Sequence, residues 1–412
     1  MTSKINILLS AYACRPNAGS ELGTGWNWAV HLAETGSIVH VLTAGRNREA
    51  TEAYQREHPS SALHFHFIDV PLLHPMESGF WHYLAWQWMA LRRAKILSRS
   101  VPFDVVQHVS YGSVHLPTPL WRLGLPTIFG PVGGGQTTPQ SLLPYFGEQA
   151  HIERWRTRIT KLLPRLPPYR KAIKRMSIVL AANRNTLELV KRAGCQRVEL
   201  LCDTGLRMDF SADSPRHFSD SLPIRLLWVG RFMPRKGLEL AFDALQKATP
   251  NIHLTLVGGG LEETALHRMI VQRGLEGRVF WEGKRLPWLE VREAYLNHDA
   301  LLFTSLRDSF GSQILEAMSL GLPVIALNLG GAQDFIPPLA GIKVDIDATA
   351  AETAERLSSA LNHFASMTIE ERNAMSAEAW MKSRNFAWPV RAAFALGLYQ
   401  EILHQNNNAS IK

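Results

Sequence analysis

Cysteine is scarce in this sequence: Cys14, Cys195 and Cys202 are all that 412 residues contain. Their spacing supplies neither a disulfide framework nor a zinc site, so they read as reduced thiols of a cytoplasmic protein. Long apolar runs are missing too. None approaches the ~18 residues that a membrane-spanning helix needs. The best stretch, Tyr83–Leu91, carries Gln87 and runs into Arg92 and Arg93, which suits a buried or interfacial helix. Lys4 and the INILLSAYAC that follows imitate a short secretion signal, but Tyr12 stands where a small residue is needed. An opening buried strand is the better reading. Repeats and low-complexity tracts are absent, apart from the polar NNNAS near the end.

Acidic residues are nearly missing from one segment. Between His151 and Arg175 stand Arg154, Arg156, Arg158, Lys161, Arg165, Arg170, Lys171, Lys174 and Arg175, against Glu153 alone. That excess accounts for the whole net charge of +8. Nucleic-acid binding calls for a more distributed basic surface with interleaved aromatics, so it is not expected. A local anionic partner, such as a membrane surface or a phosphorylated acceptor, fits better.

At 46% hydrophobic residues the chain can bury large cores, and its length suggests two or three domains of ~150 residues. Short apolar runs alternate with helical patterns from Ile5 to Cys202 and again from Arg225 to Val344. Near-continuous apolar strands separated by helices predict parallel sheets covered on both faces. Between the two series lies the polar, proline-punctuated SADSPRHFSDSLP. The expected division is a first domain over 1–207, a linker over 208–223, and a second domain over 224–384. A helical tail reads as its own element, with 385–404 as the last helix. Two doubly wound α/β domains facing across a cleft would bind a ligand at the carboxyl ends of their strands.

The most informative stretch is Arg307–Ala326, RDSFGSQILEAMSLGLPVIA. A strand, a glycine turn and a helix in succession would aim the amides of Phe310, Gly311 and Ser312 at an anion. Asp308 and Glu316 beside that site are poor phosphate ligands but good acceptors for hydroxyls. A nucleotide sugar needs both kinds of contact. The plain alternative is an N-cap aspartate and a surface glutamate. In LLWVGRFMPRKGL a strand runs out at Gly230, and Arg231 and Lys236 flank the turn, placed to neutralise a diphosphate. LTLVGGG allows close backbone approach of a ligand or of another element.

These residues resemble the retaining family 4 glycosyltransferases of the GT-B fold. The likeness lies in Asp308-x₇-Glu316, in Val229–Gly237, in the VGGG turn and in Glu316–Val324. The tail from Asn385 onward is similar to the family's closing helix, which returns to the first domain. The resemblance implies that Arg231 and Lys236 hold the donor diphosphate, Glu316 the ribose, and Asp308 the transferred sugar. The backbone at Gly230 and Phe310–Ser312 would support donor and phosphate. In the family the first acidic position is usually glutamate, so the shorter Asp308 bears on which sugar is taken.

In NAGSELGTGWNWA the glycine spacing is not that of a dinucleotide fold, which argues against hydride transfer. By resemblance, the Gly19 turn approaches the donor phosphates, and His108, ending a strand, stands beside the reacting sugar. Glu21, Gly134, Gly135 and Gln136 are acceptor-side candidates, each with a structural alternative as cap or turn. Asp345-Ile-Asp347 imitates a metal motif but reads as helix capping. His64 and His66 share a strand face without a third ligand in view. No metal and no cofactor are therefore expected.

The expected activity is retaining, metal-independent transfer from a UDP- or GDP-sugar to a hydroxyl acceptor, in cell-surface polysaccharide or glycolipid assembly. A degenerate domain that binds nucleotide sugars without turnover is the alternative. Residues 154–175, in which cations alternate with Trp155, Ile159, Leu162, Leu163, Leu166, Tyr169 and Ile173, would hold the protein peripherally on the inner membrane face, near a lipid-linked acceptor.

Overall fold

The computed structural model describes residues 4–71, 79–219, 222–281 and 288–410. The chain forms two units. The first opens with β1 (Asn6–Ser10), α1 (Ser20–Glu34), β2 (Ile38–Ala44), α2 (Arg48–Glu57) and β3 (Leu63–Ile68). It continues through α3 (Gly79–Leu97), β4 (Val105–His108) and β5 (Thr127–Val132). Then come α4 (Ala150–Leu162), α5 (Pro167–Lys174), β6 (Ile178–Ala181), α6 (Arg184–Ala193) and β7 (Val198–Leu200). Seven parallel strands lie in the order β3-β2-β1-β4-β5-β6-β7. The imitation signal is an interior strand, paired with β2 and β4: Ile7, Leu8 and Leu9 are fully buried.

The second unit is built from β8 (Ile224–Val229), α7 (Leu238–Lys247), β9 (Ile252–Val257), α8 (Glu263–Val271) and β10 (Val279–Trp281). It goes on with α9 (Trp288–Leu296), β11 (Ala300–Phe303), α10 (Ser312–Ser319), β12 (Val324–Leu327), α11 (Gly330–Phe335) and β13 (Gly341–Val344). Its six parallel strands run β10-β9-β8-β11-β12-β13. Helices α12 (Ala350–Ser366) and α13 (Ile369–Ser383) start at capping boxes, Thr349 with Glu352 and Thr368 with Glu371. The expected start of α9 at Pro287 lies outside the described residues, as do positions 220 and 221 of the linker.

Three features differ from the sequence reading. Residues 136–159 group with the second unit, so the first comprises the chain up to Gly135, Thr160–Gly205 and the final helix α14 (Trp388–Ser410). Helix α4 thus runs from one unit into the other. The linker is not free either. Ala212 N donates to Ser319 O at 3.1 Å, Trp380 Nε1 donates to Ala212 O at 2.8 Å, and Arg216 lies 3.5 Å from Asp299. Polar residues there serve as docking donors and acceptors on the second unit. Helix α2 was not foreseen, because REATEAYQRE buries only Thr51 and has no apolar stripe to read.

In the first unit, α1 and α14 cover one face of the sheet, with Trp28 against Trp388 edge-on at 5.6 Å. Helix α3 covers the other through Tyr83, Trp86, Ala90 and Leu91. A Cβ on Gly205 would come within 2.5 Å of the Trp388 ring, so that glycine is the seat of α14. All three cysteines are free and buried.

Candidate active site

In the second unit the loops after β8 and β11 are laced together before any charged group is placed. Trp228 Nε1 donates to Thr304 Oγ at 3.0 Å, and Thr304 Oγ donates to Lys236 O at 3.1 Å. Leu306 N donates to Arg235 O at 2.9 Å. Gly237, at φ +68, has no room for a side chain, since a Cβ would lie 2.1 Å from Thr304 O. These contacts bring Lys236 to Asp308. The ammonium donates to Oδ2, Ser305 Oγ lies 3.3 Å from the same oxygen, and Ser309 N donates to Oδ1 at 3.1 Å.

A fourth group is Arg235, 3.7 Å from Asp308 Oδ2. Burial raises the carboxyl's pKa, but Lys236, Arg235 and Ser305 outweigh it and hold Asp308 below the ordinary aspartate value. The shortened acid is thus a fixed anion, tied to the loop that carries the cations. It is not an N-cap: α10 starts after Gly311, at φ +105, with no side-chain cap.

Glu316 sits one turn into α10 and behaves oppositely. Burial pushes its pKa up, with Tyr295 and Ser312 opposing through hydrogen bonds. Tyr295 Oη donates to Oε2 at 2.8 Å. Phe310 is buried against Phe335 and Phe386, with ring centroids at 5.5 and 6.2 Å, so its side chain anchors the loop. Arg231 is exposed, and no ion pair holds it among the described residues.

The glycine runs find protein partners. A Cβ on Gly258 would lie 1.8 Å from Gly230 O, so the VGGG turn packs on the β8 loop. Sequence reasoning missed Gly330 and Gly331, where a Cβ would come within 2.5 Å of Asp308 O and 2.1 Å of Ser309 O. The start of α11 is therefore the bed on which the Asp308 loop lies. A paired glycine after a buried strand was the available signal.

Several expected residues have other work. His108 is fully buried; its Nδ1 lies 2.9 Å from Ser10 Oγ and its Nε2 3.0 Å from Tyr83 Oη. Burial lowers its pKa to about 4, so at neutral pH it is an uncharged residue inside the first unit. Gly135 packs on Thr186, whose Oγ1 accepts from Gly135 N at 3.1 Å. Gln136, expected on the acceptor side, belongs to the second unit, where Nε2 donates to Ser309 Oγ at 3.2 Å. Gly134 takes φ +101 beside Ser113 and His115, which accounts for the glycine.

Gly19 is the exposed N-cap of α1, and Glu21 accepts from the backbone N–H of Tyr111, itself at φ +54. Asp347 does not cap α12, which Thr349 does; it pairs with Arg356 at 2.6 Å, and Asp345 accepts from Asn328 at 2.6 Å. His64 and His66 have a third neighbour, His40, whose Nδ1 lies 3.1 Å from His66 Nε2. Among the described residues no cluster of histidine, cysteine or carboxylate has metal-holding geometry.

Two Rossmann-like units of this topology, the second with cations and carboxylates at its strand ends, define a GT-B fold. A sucrose-phosphate synthase from Thermosynechococcus elongatus shares it, at TM-score 0.69 and 18% identity, over 98% of this chain and 100% of that one. Residues 209–379 match the family described as glycosyl transferases group 1. A lipopolysaccharide 1,6-galactosyltransferase from Salmonella typhimurium is 35% identical over 120 residues, 28% of this chain and 33% of the relative. A GDP-mannose-dependent alpha-mannosyltransferase from Mycolicibacterium smegmatis is 28% identical over 177 residues, 43% of each chain. The chain thus spans less than half the length of these two relatives.

Proposed function

We propose that the protein is a retaining glycosyltransferase that moves a sugar from a nucleoside diphosphate sugar to a hydroxyl acceptor, without a metal ion, in cell-surface polysaccharide or glycolipid assembly. The observation that carries this reading is the pairing of Lys236 and Arg235 with Asp308 at the strand ends of the second unit. Cations placed there, with Arg231, stabilise a leaving diphosphate as its charge develops. Asp308 and Glu316 accept hydroxyls of sugar and ribose. Catalysis is then positioning and charge stabilisation, with the protein's own cations in the role of a metal.

A panel of UDP-, GDP- and ADP-sugars, scored first by thermal shift and then by product formation, tests the reading and identifies the donor. The anomeric configuration of the product, read by NMR, tests retention. Activity that survives EDTA supports metal independence; a complete loss restored by Mg²⁺ or Mn²⁺ sinks it. One observation favours a second reading, a domain that binds nucleotide sugars without turnover. Asp308 is one methylene shorter than the usual glutamate and is already neutralised by Lys236. Donor binding with neither transfer nor hydrolysis would establish it.

The membrane reading rests on α4. Ile152, Trp155, Ile159 and Leu162 form one exposed stripe along it, Trp155 at 61% exposure. Arg154, Arg158 and Lys161 flank the stripe and are exposed. Leu163, Tyr169 and Ile173 instead turn into the core, and Arg156 turns inward, so the interfacial element is α4 rather than a helix pair. Helix α3 has an exposed aromatic face of its own, Phe80, Trp81 and Trp88, with Arg122 over the Trp88 ring at 5.5 Å. Exposed tryptophans among cations suit an anionic leaflet, at about 1 kcal/mol per cation near the surface. No described helix is long and apolar enough to cross a membrane. A cytoplasmic enzyme held peripherally at the inner leaflet would meet a lipid-linked acceptor there.

A further inference from the structure

The inward face of α4 carries a carboxylate for which the proposed chemistry has no role. Glu153 is 4% exposed and lies within the second unit. Its Oε1 accepts from Thr138 Oγ1 at 2.9 Å and sits 2.9 Å from Arg307 Nε and 3.7 Å from Arg156 Nη1. Arg307 immediately precedes Asp308 in the chain. Its Nε makes no aligned hydrogen bond, so the Glu153 contact is a charge pairing and not a directional one. Among the described residues, the ion pairs of Arg156, Arg235, Arg307 and Lys236 run to two carboxylates, Glu153 and Asp308. Burial, with Arg307 and Arg235 adding to it, lowers the pKa of Arg156 to about 10. Removing one partner from such a buried pairing leaves the other charge uncompensated.

We infer that Glu153 is the positioning residue of the Asp308 loop: it occupies Arg307 and Arg156, so that Asp308 stays directed by Lys236 and open to the transferred sugar's hydroxyls. The inference rests on the glycosyltransferase reading and adds a residue from outside the matched region, on the helix that carries the exposed stripe. Thr138 and Gln136 complete the clamp. Arg156 Nη1 donates to Gln136 O at 3.1 Å, and Gln136 Nε2 donates to Ser309 Oγ at 3.2 Å, one residue beyond Asp308. Without the Glu153 charge, Arg307 is released toward Asp308, its chain neighbour and the other carboxylate of the cluster.

Glu153→Gln preserves shape and removes that charge. In the full-length protein it is expected to lower kcat by about tenfold or more while leaving the calorimetric Kd of the free nucleoside diphosphate within about threefold. Adding Arg307→Gln to the same chain should recover much of the lost kcat, because the competing cation is gone. A purely structural role would instead lower melting temperature, kcat and nucleotide affinity together. Wild-type kcat in a folded Glu153→Gln protein overturns the inference, as does a parallel loss of affinity for nucleoside diphosphate and nucleotide sugar. If that variant does not fold, Arg307→Gln alone decides. It leaves Glu153 to Thr138 and Arg156, and should raise or preserve kcat; a tenfold fall overturns the inference. Failure of the wild-type protein to bind any nucleotide sugar would instead remove the functional reading itself.

Discussion

The donors around Asp308 favour its charged form, whereas the burial of Glu316 disfavours its charge. The two carboxylates should therefore respond differently to mutation. Asp308→Asn is expected to cut transfer by about a hundredfold while changing nucleoside diphosphate affinity little, since it meets the sugar. Glu316→Gln should weaken both, because ribose belongs to the nucleotide; equal effects of the two variants in calorimetry would refute the division. The pKa shifts give the pH dependence. Glu316, raised above 4.5, disfavours its charged form in the fold, so its contribution to stability is lost as pH rises through the raised value. Asp308, lowered below 3.8, contributes stability above the ordinary aspartate pKa and loses it as pH falls through the lowered value. Nucleotide affinity should accordingly fall on acidification as Glu316 protonates, while Asp308 is still ionised. Glu316→Gln should abolish that acid limb.

Lys236, Asp308 and Glu316 were legible in the sequence because a strand, a glycine turn and a helix fix where such residues end up. Arg235 and Arg307 stand beside them in the chain but gave no signal of their own. Arg307 meets Glu153, 154 residues earlier in the chain, and Arg235 meets Asp308 across a gap of 73 residues. His108 shows the complementary limit: a strand end predicts location, but the partners that bury its ring, Ser10 and Tyr83, come from distant parts of the chain.

Helix α4 shows how one element carries two opposed faces. Glu153, Arg156 and Thr160 point inward, and Ile152, Trp155, Ile159 and Leu162 point out. Trp155→Ala with Ile159→Ala should reduce co-sedimentation with anionic liposomes, leaving melting temperature and nucleotide affinity unchanged. Binding indifferent to lipid charge and salt would leave a soluble enzyme with a soluble acceptor. Helix α11 works through what it lacks. Gly331→Ala would drive a methyl into Ser309 O, 2.1 Å away, and is expected to abolish transfer by shifting the Asp308 loop. The alternation of strands and helices was readable, since short apolar runs have few alternatives in an α/β chain. The basic segment was readable in charge but not in orientation. Its apolar residues divide between core and solvent according to the break near Pro164, which periodicity alone does not resolve.

At the scale of the molecule, two alternating series and a polar stretch between them announced two Rossmann-like units. The finer boundaries were not announced, because residues 136–159 join the second unit through contacts such as Tyr145 Oη to Asp243 at 3.0 Å. Helix α14 closes the first unit, with Tyr399 donating to Gln107 and Arg391 donating to Cys202 O. Trp388→Ala should lower stability by about 3–5 kcal/mol in chemical denaturation, while the second unit binds nucleotide as before.

The position of α14 in the chain has a consequence for the ribosome. All seven strands of the first sheet emerge before residue 201, but one face of that sheet waits for a helix that begins at Trp388. During the synthesis of everything between, Ile7, Leu9 and Val41 lie under α1 alone, with the groove that α14 fills open to any apolar segment nearby. The second unit, by contrast, has its full complement as soon as Ala387 has left the exit tunnel. The nascent protein therefore completes its later-made half first, and the half that was begun first is the last to be sealed.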